Sequence, residues 1–287
     1  MATRSADFAG SWYPARESEC LELFKNFEEN SIKRIHGEDN WIGGILPHAG
    51  WIYSGQIAYN VIRYLKDSIN PDVFVIFGRH LYPGSSNFIM AEGAWATPFG
   101  ELPIASDLAE KIISEFKFTV ETHSRYEPDN TIELQLPFIK YLFPGVDILP
   151  VGVPPASLSV TIGERIAEIA ESMGKSILVL GSTDLTHYGP NYANTSMGTG
   201  RKAVDWVKNE NDKRMVDLIL EMEPEKIIKE SLINSNACCS GAVAATVAAM
   251  KKMGAVKGKQ LIYSTSYDIR PDSSFVGYVG VVFSNKN

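Results

Sequence analysis

The sequence predicts an α/β fold: a single three-layer α/β/α domain in which helices cover both faces of a largely parallel or mixed central sheet. Short apolar runs rich in β-branched residues recur along the chain, and they are continuous rather than alternating, which is typical of strands covered on both faces. Helical patterns lie between these runs, and such alternation favours a layered α/β architecture. No repeat, low-complexity segment or linker divides the sequence, so one domain over residues 1–287 is expected.

Six apolar runs are predicted to form the strands of this sheet. Each is six to nine residues long and contains Val, Ile or aromatic residues, which favour the extended conformation. In chain order the predicted strands span residues 41–47, 73–78, 146–153, 176–181, 260–266 and 275–283.

Helices are predicted between these strands, where apolar residues recur three and four positions apart. Ser106 at the start of one pattern and Gly174 at the end of another resemble helix start and stop signals. Pro224 marks a break within a long pattern that forms one or two helices. Two adjacent cysteines, Cys238 and Cys239, open the last helix. The helical patterns cover residues 56–67, 106–116, 163–174, 211–231 and 238–254.

Composition and charge argue against several classes of partner. The net charge of -7 and the pI near 5.4 disfavour a nucleic acid or an anionic membrane as the main partner. The N-terminus has no apolar signal segment, and the most apolar stretch, residues 241–250, has about half the length needed to cross a bilayer. A cytoplasmic protein is therefore expected, in which the three cysteines are free thiols. No glycine-rich phosphate loop is present, which disfavours a nucleotide.

Three histidines follow predicted strands almost directly. His48 comes after the first predicted strand and His80 after the second. His187 comes soon after the fourth, and Asp184 lies three residues before it. In open α/β sheets ligands bind beyond the carboxyl ends of the strands, so these side chains are expected to meet at one edge of the sheet. Since imidazole is a common metal ligand and acid/base group, this edge is the predicted site.

Each of these residues also has a structural interpretation. His48 and His80 can each be a packed histidine at a strand end, and Asp184 can cap its own turn as well as orient an imidazole. A helix N-terminus lowers the pKa of a thiol and favours the thiolate that binds metal. Cys238 and Cys239 can equally be small residues packed at the start of a helix. The coincidence of several such groups favours a site.

Seven motifs, in the same order along the chain, resemble those of the Memo family, which in prokaryotes is called AmmeMemoRadiSam system protein B. The resemblance covers nearly the whole chain. That family resembles the class III extradiol ring-cleaving dioxygenases, which hold non-haem Fe(II) with two histidines and a carboxylate, so the resemblance implies a class III extradiol dioxygenase-like fold. The motifs are AGSWYP (9–14), PHAGWIYSG (47–55), TPFGELPI (97–104), TIELQLPF (131–138), STDLTHYG (182–189), NACCSG (236–241) and SSFVGYVGV (273–281).

The resemblance implies a mononuclear metal site, in which a cysteine takes the place of the dioxygenase carboxylate. Matching by motif makes His48, His80 and Cys239 the ligands, with Cys238 as the alternative thiol. His187 corresponds to the acid/base histidine of the dioxygenases, and its neighbour in the motif is a carboxylate, Asp184. Fe(II) is the expected cofactor, while Cu and Zn also suit nitrogen and sulfur donors. The implied activity is that of a dioxygenase-like oxidoreductase acting on a small aromatic or phenolic substrate.

Two departures from the family pattern favour a different class of function. The turn Gly78-Arg79-His80 is one residue shorter than the usual Gly-Pro-Asn-His, and Asn130 stands where a histidine usually precedes the IELQLP segment. They favour a non-catalytic binding or interaction module. The nitrogen and sulfur donors also suit a metal-handling protein, which needs no substrate. Prokaryotic relatives are often encoded beside a radical-SAM protein and a small partner protein, so the resemblance implies both as partners.

Overall fold

The computed structural model describes residues 2–33, 40–66 and 68–285, and twelve β-strands lie within them. All six predicted strands are present, as β2, β3, β8, β9, β11 and β12 of the following series. The strands are β1 (Thr3–Arg4), β2 (Trp41–Leu46), β3 (Val73–Gly78), β4 (Asn87–Met90), β5 (Ala94–Thr97), β6 (Gly100–Pro103), β7 (Phe118–Glu121), β8 (Asp147–Gly152), β9 (Ile177–Ser182), β10 (His187–Tyr188), β11 (Lys257–Thr265) and β12 (Phe275–Ser284).

Eleven α-helices lie within the same described residues. A 3-10 turn (Pro190–Tyr192) and a π-helical turn (Val207–Asn211) accompany them, and Pro224 begins a helix, as its predicted break requires. The helices are α1 (Glu17–Glu29), α2 (Trp51–Leu65), α3 (Ser106–Glu115), α4 (Asn130–Glu133), α5 (Leu136–Leu142), α6 (Ser157–Ser172), α7 (Arg201–Trp206), α8 (Asp212–Leu220), α9 (Pro224–Asn234), α10 (Ser240–Lys252) and α11 (Ser266–Ile269).

The central sheet has nine strands in the described part of the chain. Its middle is parallel, with β2, β9, β3 and β8 side by side, and Val75 of β3 lies between Val179 and Leu149 of its neighbours. β12 pairs antiparallel with β2 at one side, and β4 pairs antiparallel with β8 at the other. β10 and β11 extend the sheet beyond β12, and β7 extends it beyond β4. The predicted mixed sheet is confirmed, while β1, β5 and β6 form a separate small sheet.

Alternate residues of β3 are buried in two different hydrophobic cores. Val73, Val75 and Phe77 belong to the core that contains the apolar faces of α6 and α10. Phe74 and Ile76 belong to the other core, with residues of α1, α2 and α5. Each of these five side chains is fully buried and contributes roughly 2 kcal/mol to folding. Helices thus cover both faces of the sheet, which confirms the three-layer α/β/α architecture.

Two helices begin earlier than their apolar periodicity predicted. α2 begins at Trp51 rather than at residue 56, and α6 begins at Ser157 rather than at residue 163. In each case a glycine lies inside the helix because a neighbouring element packs against its bare backbone. A Cβ on Gly55 would lie 3.0 Å from Phe27 Cζ of α1, and a Cβ on Gly163 would lie 2.1 Å from the carbonyl oxygen of Ala245 in α10.

The remaining predicted helices agree more closely with the structure. α3 begins at Ser106, and α6 is followed by Gly174, whose φ of +68° and backbone bond to Glu171 terminate the helix as predicted. None of the helices in residues 2–33, 40–66 and 68–285 combines the length and the apolar character that crossing a lipid bilayer requires.

Candidate metal centre

Two histidines and two cysteines meet at the carboxyl edge of the central sheet. His48 follows β2 and His80 follows β3, and their ring centroids are 4.8 Å apart. The loop before α10 adds two thiols, so that Cys238 Sγ lies 3.3 Å from His48 Nε2 and Cys239 Sγ lies 3.6 Å from His80 Nδ1. One donor atom from each residue lies within 4.8 Å of the other three. The structure therefore brings the predicted ligands together.

Three of the separations between these donors fit a tetrahedral metal site. Donors placed tetrahedrally at usual metal–sulfur and metal–nitrogen distances lie about 3.3 to 3.8 Å from one another. The sulfur atoms of Cys238 and Cys239 are 3.7 Å apart, and this distance lies within that range. The two sulfur–nitrogen distances given above lie within it as well. Each thiol lies beside a different histidine, so the geometry accommodates either Cys238 or Cys239 as the third ligand.

His48 is held in place by three neighbouring side chains. Its backbone N–H donates to Asp184 Oδ1 at 2.8 Å, its carbonyl accepts a bond from Asn130, and its Nδ1 lies 2.8 Å from the Ser182 hydroxyl. The bond at Nδ1 turns Nε2 towards the thiols. Burial lowers the pKa of His48, but Asp184 and Cys238 outweigh this effect and raise the pKa to about 9.

The two thiols differ in their surroundings. Cys238 Sγ accepts a bond from the backbone N–H of Asp184 at 3.2 Å, whereas the backbone N–H of Cys239 donates to the Thr183 hydroxyl. Burial raises the pKa of Cys238, but its hydrogen bond with Cys239 and the charge of His48 outweigh burial and hold the pKa well below its usual range. Burial and the negative charge on Cys238 raise the pKa of Cys239. The directions of the two shifts favour ionisation of Cys238 over that of Cys239.

The short turn after β3 does not carry His80 away from this cluster. The exposed His80 follows Arg79, whose φ of +75° lies in the left-handed region. The left-handed conformation of Arg79 changes the direction of the chain at a single residue. The His80 ring is thereby kept beside Cys239 and His48.

Asp184 lies between two imidazoles. Its Oδ2 is 4.0 Å from Nε2 of His48 and 4.0 Å from Nε2 of His187. Burial raises the pKa of Asp184, and the charge of His48 opposes this increase. Its Oδ1 accepts the backbone N–H of His48, so the carboxylate joins two loops rather than capping its own turn. His187 also contacts the Tyr192 ring, and the acid/base role of His187 and Asp184 stays a prediction.

A cleft of about 1290 Å³ opens beside this centre and is lined by His48, His80, Asp184 and His187 together with aromatic side chains. The aromatic lining includes Trp12, Tyr53 and Tyr192. Trp51 also reaches the cleft, but its ring is buried. A second cavity of about 970 Å³ reaches Cys238 and shares His80, His187 and Tyr192 with the first. The centre is thus reached from two cavities.

Glu133 fixes the N-terminal loop that forms one wall of the cleft, a role that the sequence analysis did not predict. Its buried carboxylate accepts hydrogen bonds from the N–H groups of Asp7 and Phe8 and from the Tyr13 hydroxyl. Burial raises the pKa of Glu133, while these hydrogen bonds oppose that shift. The loop places Trp12 at the cleft.

Comparison with known proteins agrees with the motif analysis. Residues 4–282 match the family model described as Memo-like protein. A MEMO1 family protein of Pyrococcus furiosus is 32% identical over 97% of this chain and 98% of the relative, and one of Methanopyrus kandleri is 30% identical over 98% of each. The solved structure of the uncharacterized protein JW3007 from Escherichia coli K12 has a similar fold, with a TM-score of 0.55, 11% identity, and coverage of 84% of this chain and 99% of that one. These full-length matches show that the chain belongs to the Memo family.

Proposed function

We propose that this chain is a metal-dependent oxygenase whose ion is held by His48, His80 and one thiolate of the cysteine pair. Its substrate in this proposal is a small aromatic or phenolic compound bound in the 1290 Å³ cleft. The observation that carries the proposal is the cluster of four nitrogen and sulfur donors within 4.8 Å of one another beside an aromatic-lined cleft. A ligand cluster joined to a cleft of this size is typical of an active site.

Fe(II) is the proposed ion, because the dioxygenases that the family resembles use it. Cu and Zn also suit imidazole and thiolate donors. When bound, Fe(II) would supply redox chemistry with dioxygen. Two neutral imidazoles and one thiolate leave a divalent ion with a net positive charge, which favours an anionic substrate such as a phenolate.

His187 is the proposed acid/base group of the reaction. Its Nε2 is buried and has no hydrogen-bond partner among the described residues, so this atom is free to accept a proton from a substrate hydroxyl. Asp184 Oδ2, 4.0 Å away, would stabilise the imidazolium that results. Trp12 and Tyr53 would cover an aromatic ring in the cleft and exclude water from it.

Metal handling without a substrate is the second candidate function, and the presence of both thiols favours it. If Cys238 and Cys239 bind together with the two histidines, the ion has four protein ligands. Such a set is typical of closed structural zinc sites, which leave no position for a substrate. The number of ligating cysteines therefore separates the two functions.

The partners implied by the resemblance, a radical-SAM protein and a small partner protein, stay a prediction. The interaction-module alternative also depends on them. Co-expression followed by size-exclusion chromatography of wild type and His80→Ala tests it, because a purely binding role predicts a complex that this substitution leaves intact.

Metal content of anaerobically purified protein is the deciding measurement. We expect about one ion per chain in the wild type by mass spectrometry, and none in His48→Ala. If one thiol binds the ion, as the oxygenase proposal requires, only one of the variants Cys238→Ser and Cys239→Ser should lose the ion. If both thiols bind it, as in a closed four-ligand site, both variants should bind the ion more weakly. Cys20→Ser is the matched control, because this third thiol is buried in α1 and contacts the Pro14 carbonyl.

Oxygen uptake tests the reaction itself. Fe(II)-loaded wild type should consume dioxygen with at least one catechol, and His187→Gln should lower the rate about 10²- to 10⁴-fold while the iron stays bound. Full iron occupancy without uptake on any catechol would exclude ring cleavage. Failure of every metal to bind would exclude both candidate functions.

A further inference from the structure

The residue before His80 has a backbone conformation that side chains rarely adopt. Arg79 has a φ of +75° and directly follows Gly78, the last residue of β3. A residue with a Cβ is sterically disfavoured in this region, and such a conformation persists only where the surrounding structure fixes it. The backbone direction at Arg79 determines where the next side chain, His80, points.

Partners from distant parts of the chain fix the Arg79 side chain. Its Nη1 donates to Glu121 Oε1 at 2.7 Å, and its Nη2 donates to Glu127 Oε2 at 2.8 Å. The guanidinium also stacks over Phe88, with Cζ 3.8 Å from the ring centroid. Glu121 is itself buried and binds a second arginine, Arg4, at 3.0 Å. Because Arg79 and Glu121 are both buried, the charge-assisted bond between them is only weakly screened by solvent, whereas the Glu127 carboxylate is exposed.

The backbone of Arg79 is anchored as well. Its N–H donates to the Thr131 hydroxyl at 2.6 Å, and that hydroxyl donates to Asp129 Oδ1 at 2.7 Å. Gly152 leaves the space that the arginine occupies, since a Cβ there would lie 3.0 Å from Arg79 Cβ. The turn is therefore fixed at both its main chain and its side chain.

The two histidines of the centre are held by different means. Ser182 bonds to the ring of His48, and Asp184 bonds to its main chain. In the ranges 2–33, 40–66 and 68–285, the exposed His80 ring has one hydrogen bond, to the thiol of Cys239. The placement of this ring thus depends on the residue before it.

We propose that Arg79 is a positioning residue that presents His80 to the metal centre through its left-handed backbone and its anchored guanidinium. This inference rests on the proposed metal site. It also explains how the short turn Gly78-Arg79-His80 keeps its histidine beside Cys239 and His48. Arg79 contributes through its backbone conformation and its hydrogen bonds, while His80 supplies the ligand atom.

Co(II) affinity, followed by the thiolate-to-cobalt absorption band, tests the proposal on the whole chain. Arg79→Ala should lower the affinity about 10- to 100-fold. Arg79→Gly should lower it less, because glycine adopts a positive φ without steric cost. In the background of His80→Ala, adding Arg79→Ala should have no further effect, since the arginine acts through that histidine. Arg165→Ala, which removes a paired arginine of α6, is the matched control.

Histidine NMR of the metal-free protein separates this inference from the proposed function. In Arg79→Ala the imidazole resonances of His80 should shift or broaden, while those of His48, which contacts the His80 ring but is held by Ser182, should change less. If the wild type binds no Co(II), that result contradicts the proposed metal site but not the role of Arg79. The NMR comparison still tests that role, because it uses the metal-free protein. Unchanged His80 resonances, or an affinity loss that persists in the His80→Ala background, would overturn the role of Arg79.

Discussion

Replacing Asp212 with asparagine should remove a large part of the pH dependence of stability. This residue begins α8, and its carboxylate is fully buried. Oδ1 accepts bonds from the backbone N–H and the hydroxyl of Thr186, and Oδ2 accepts the Tyr263 hydroxyl at 2.7 Å. Within the described residues it forms no ion pair with a lysine or arginine. Burial raises the pKa of Asp212 to about 6, although the bonds from Thr186 and Tyr263 lower it.

The size and sign of the effect follow from this pKa. The carboxyl group changes from an unfolded value of 3.8 to about 6 on folding. A difference of about two units corresponds to roughly 3 kcal/mol, at about 1.4 kcal/mol per unit. Because the folded state binds the proton more tightly, this contribution is fully present below about pH 4. It is lost as the pH rises through about 6, so it lowers the free energy of unfolding over that interval.

Urea denaturation between about pH 4 and pH 7.5 measures this contribution. The asparagine in Asp212→Asn keeps an oxygen for Thr186 and offers an N–H to the Tyr263 oxygen, so the folded shape is retained. The free energy of unfolding of the wild type should fall by about 3 kcal/mol more than that of the variant across this range. Asp217→Asn, an exposed carboxylate on the same helix, is the control. If the free energies of unfolding of wild type and Asp212→Asn change in parallel with pH, the reasoning is refuted.

Three further substitutions test the site and its supports. Ser182→Ala removes the partner of His48 Nδ1 and should weaken metal binding about 10- to 100-fold, measured by competition with a chelator; equal affinities would contradict this. Gly163→Ala forces a Cβ against the Ala245 carbonyl and should destabilise the fold by about 1–3 kcal/mol in urea, so an unchanged midpoint would count against close packing of the two helices. Glu133→Gln places an amide N–H donor against a backbone N–H group, and it should lower the free energy of unfolding by about 1–3 kcal/mol. Faster proteolysis of the N-terminal loop should accompany this loss, and a wild-type cleavage rate would speak against the anchor.

The sequence was sufficient to predict the central layer and the edge that carries the site. Buried parallel strands produce continuous apolar runs, and residues just after such strands must meet at one edge, so His48 and His80 could be placed together. The thiols are a different case. Cys238 is 190 residues from His48 in sequence, and only the family resemblance indicated that the loop before α10 would reach the same place.

Other features left no local signal. The strands β4 to β7 are only four residues long, and several of their side chains are partly or fully exposed, so no apolar run marks them. Asp212 occurs in a polar stretch that resembles a solvent-exposed helix start. It is buried because β12 brings Gly277 against it, where a Cβ would lie 1.9 Å from its Oδ2. The left-handed conformation of Arg79 likewise depends on partners more than forty residues away.

The surroundings of the thiol pair favour an open metal centre over a closed one. Without a metal ion, ionising both thiols would place two negative charges on sulfur atoms 3.7 Å apart, with Cys239 buried and Cys238 half-buried. Burial, together with the hydrogen bond and the charge of Cys238, raises the pKa of Cys239. A centre with one thiolate and two imidazoles needs only the thiol that ionises more readily, and it leaves coordination positions for a substrate. A closed structural site needs no access, yet here two cavities reach His80 and His187. Access of this kind serves a centre that exchanges ligands, which is why we favour catalysis over metal storage.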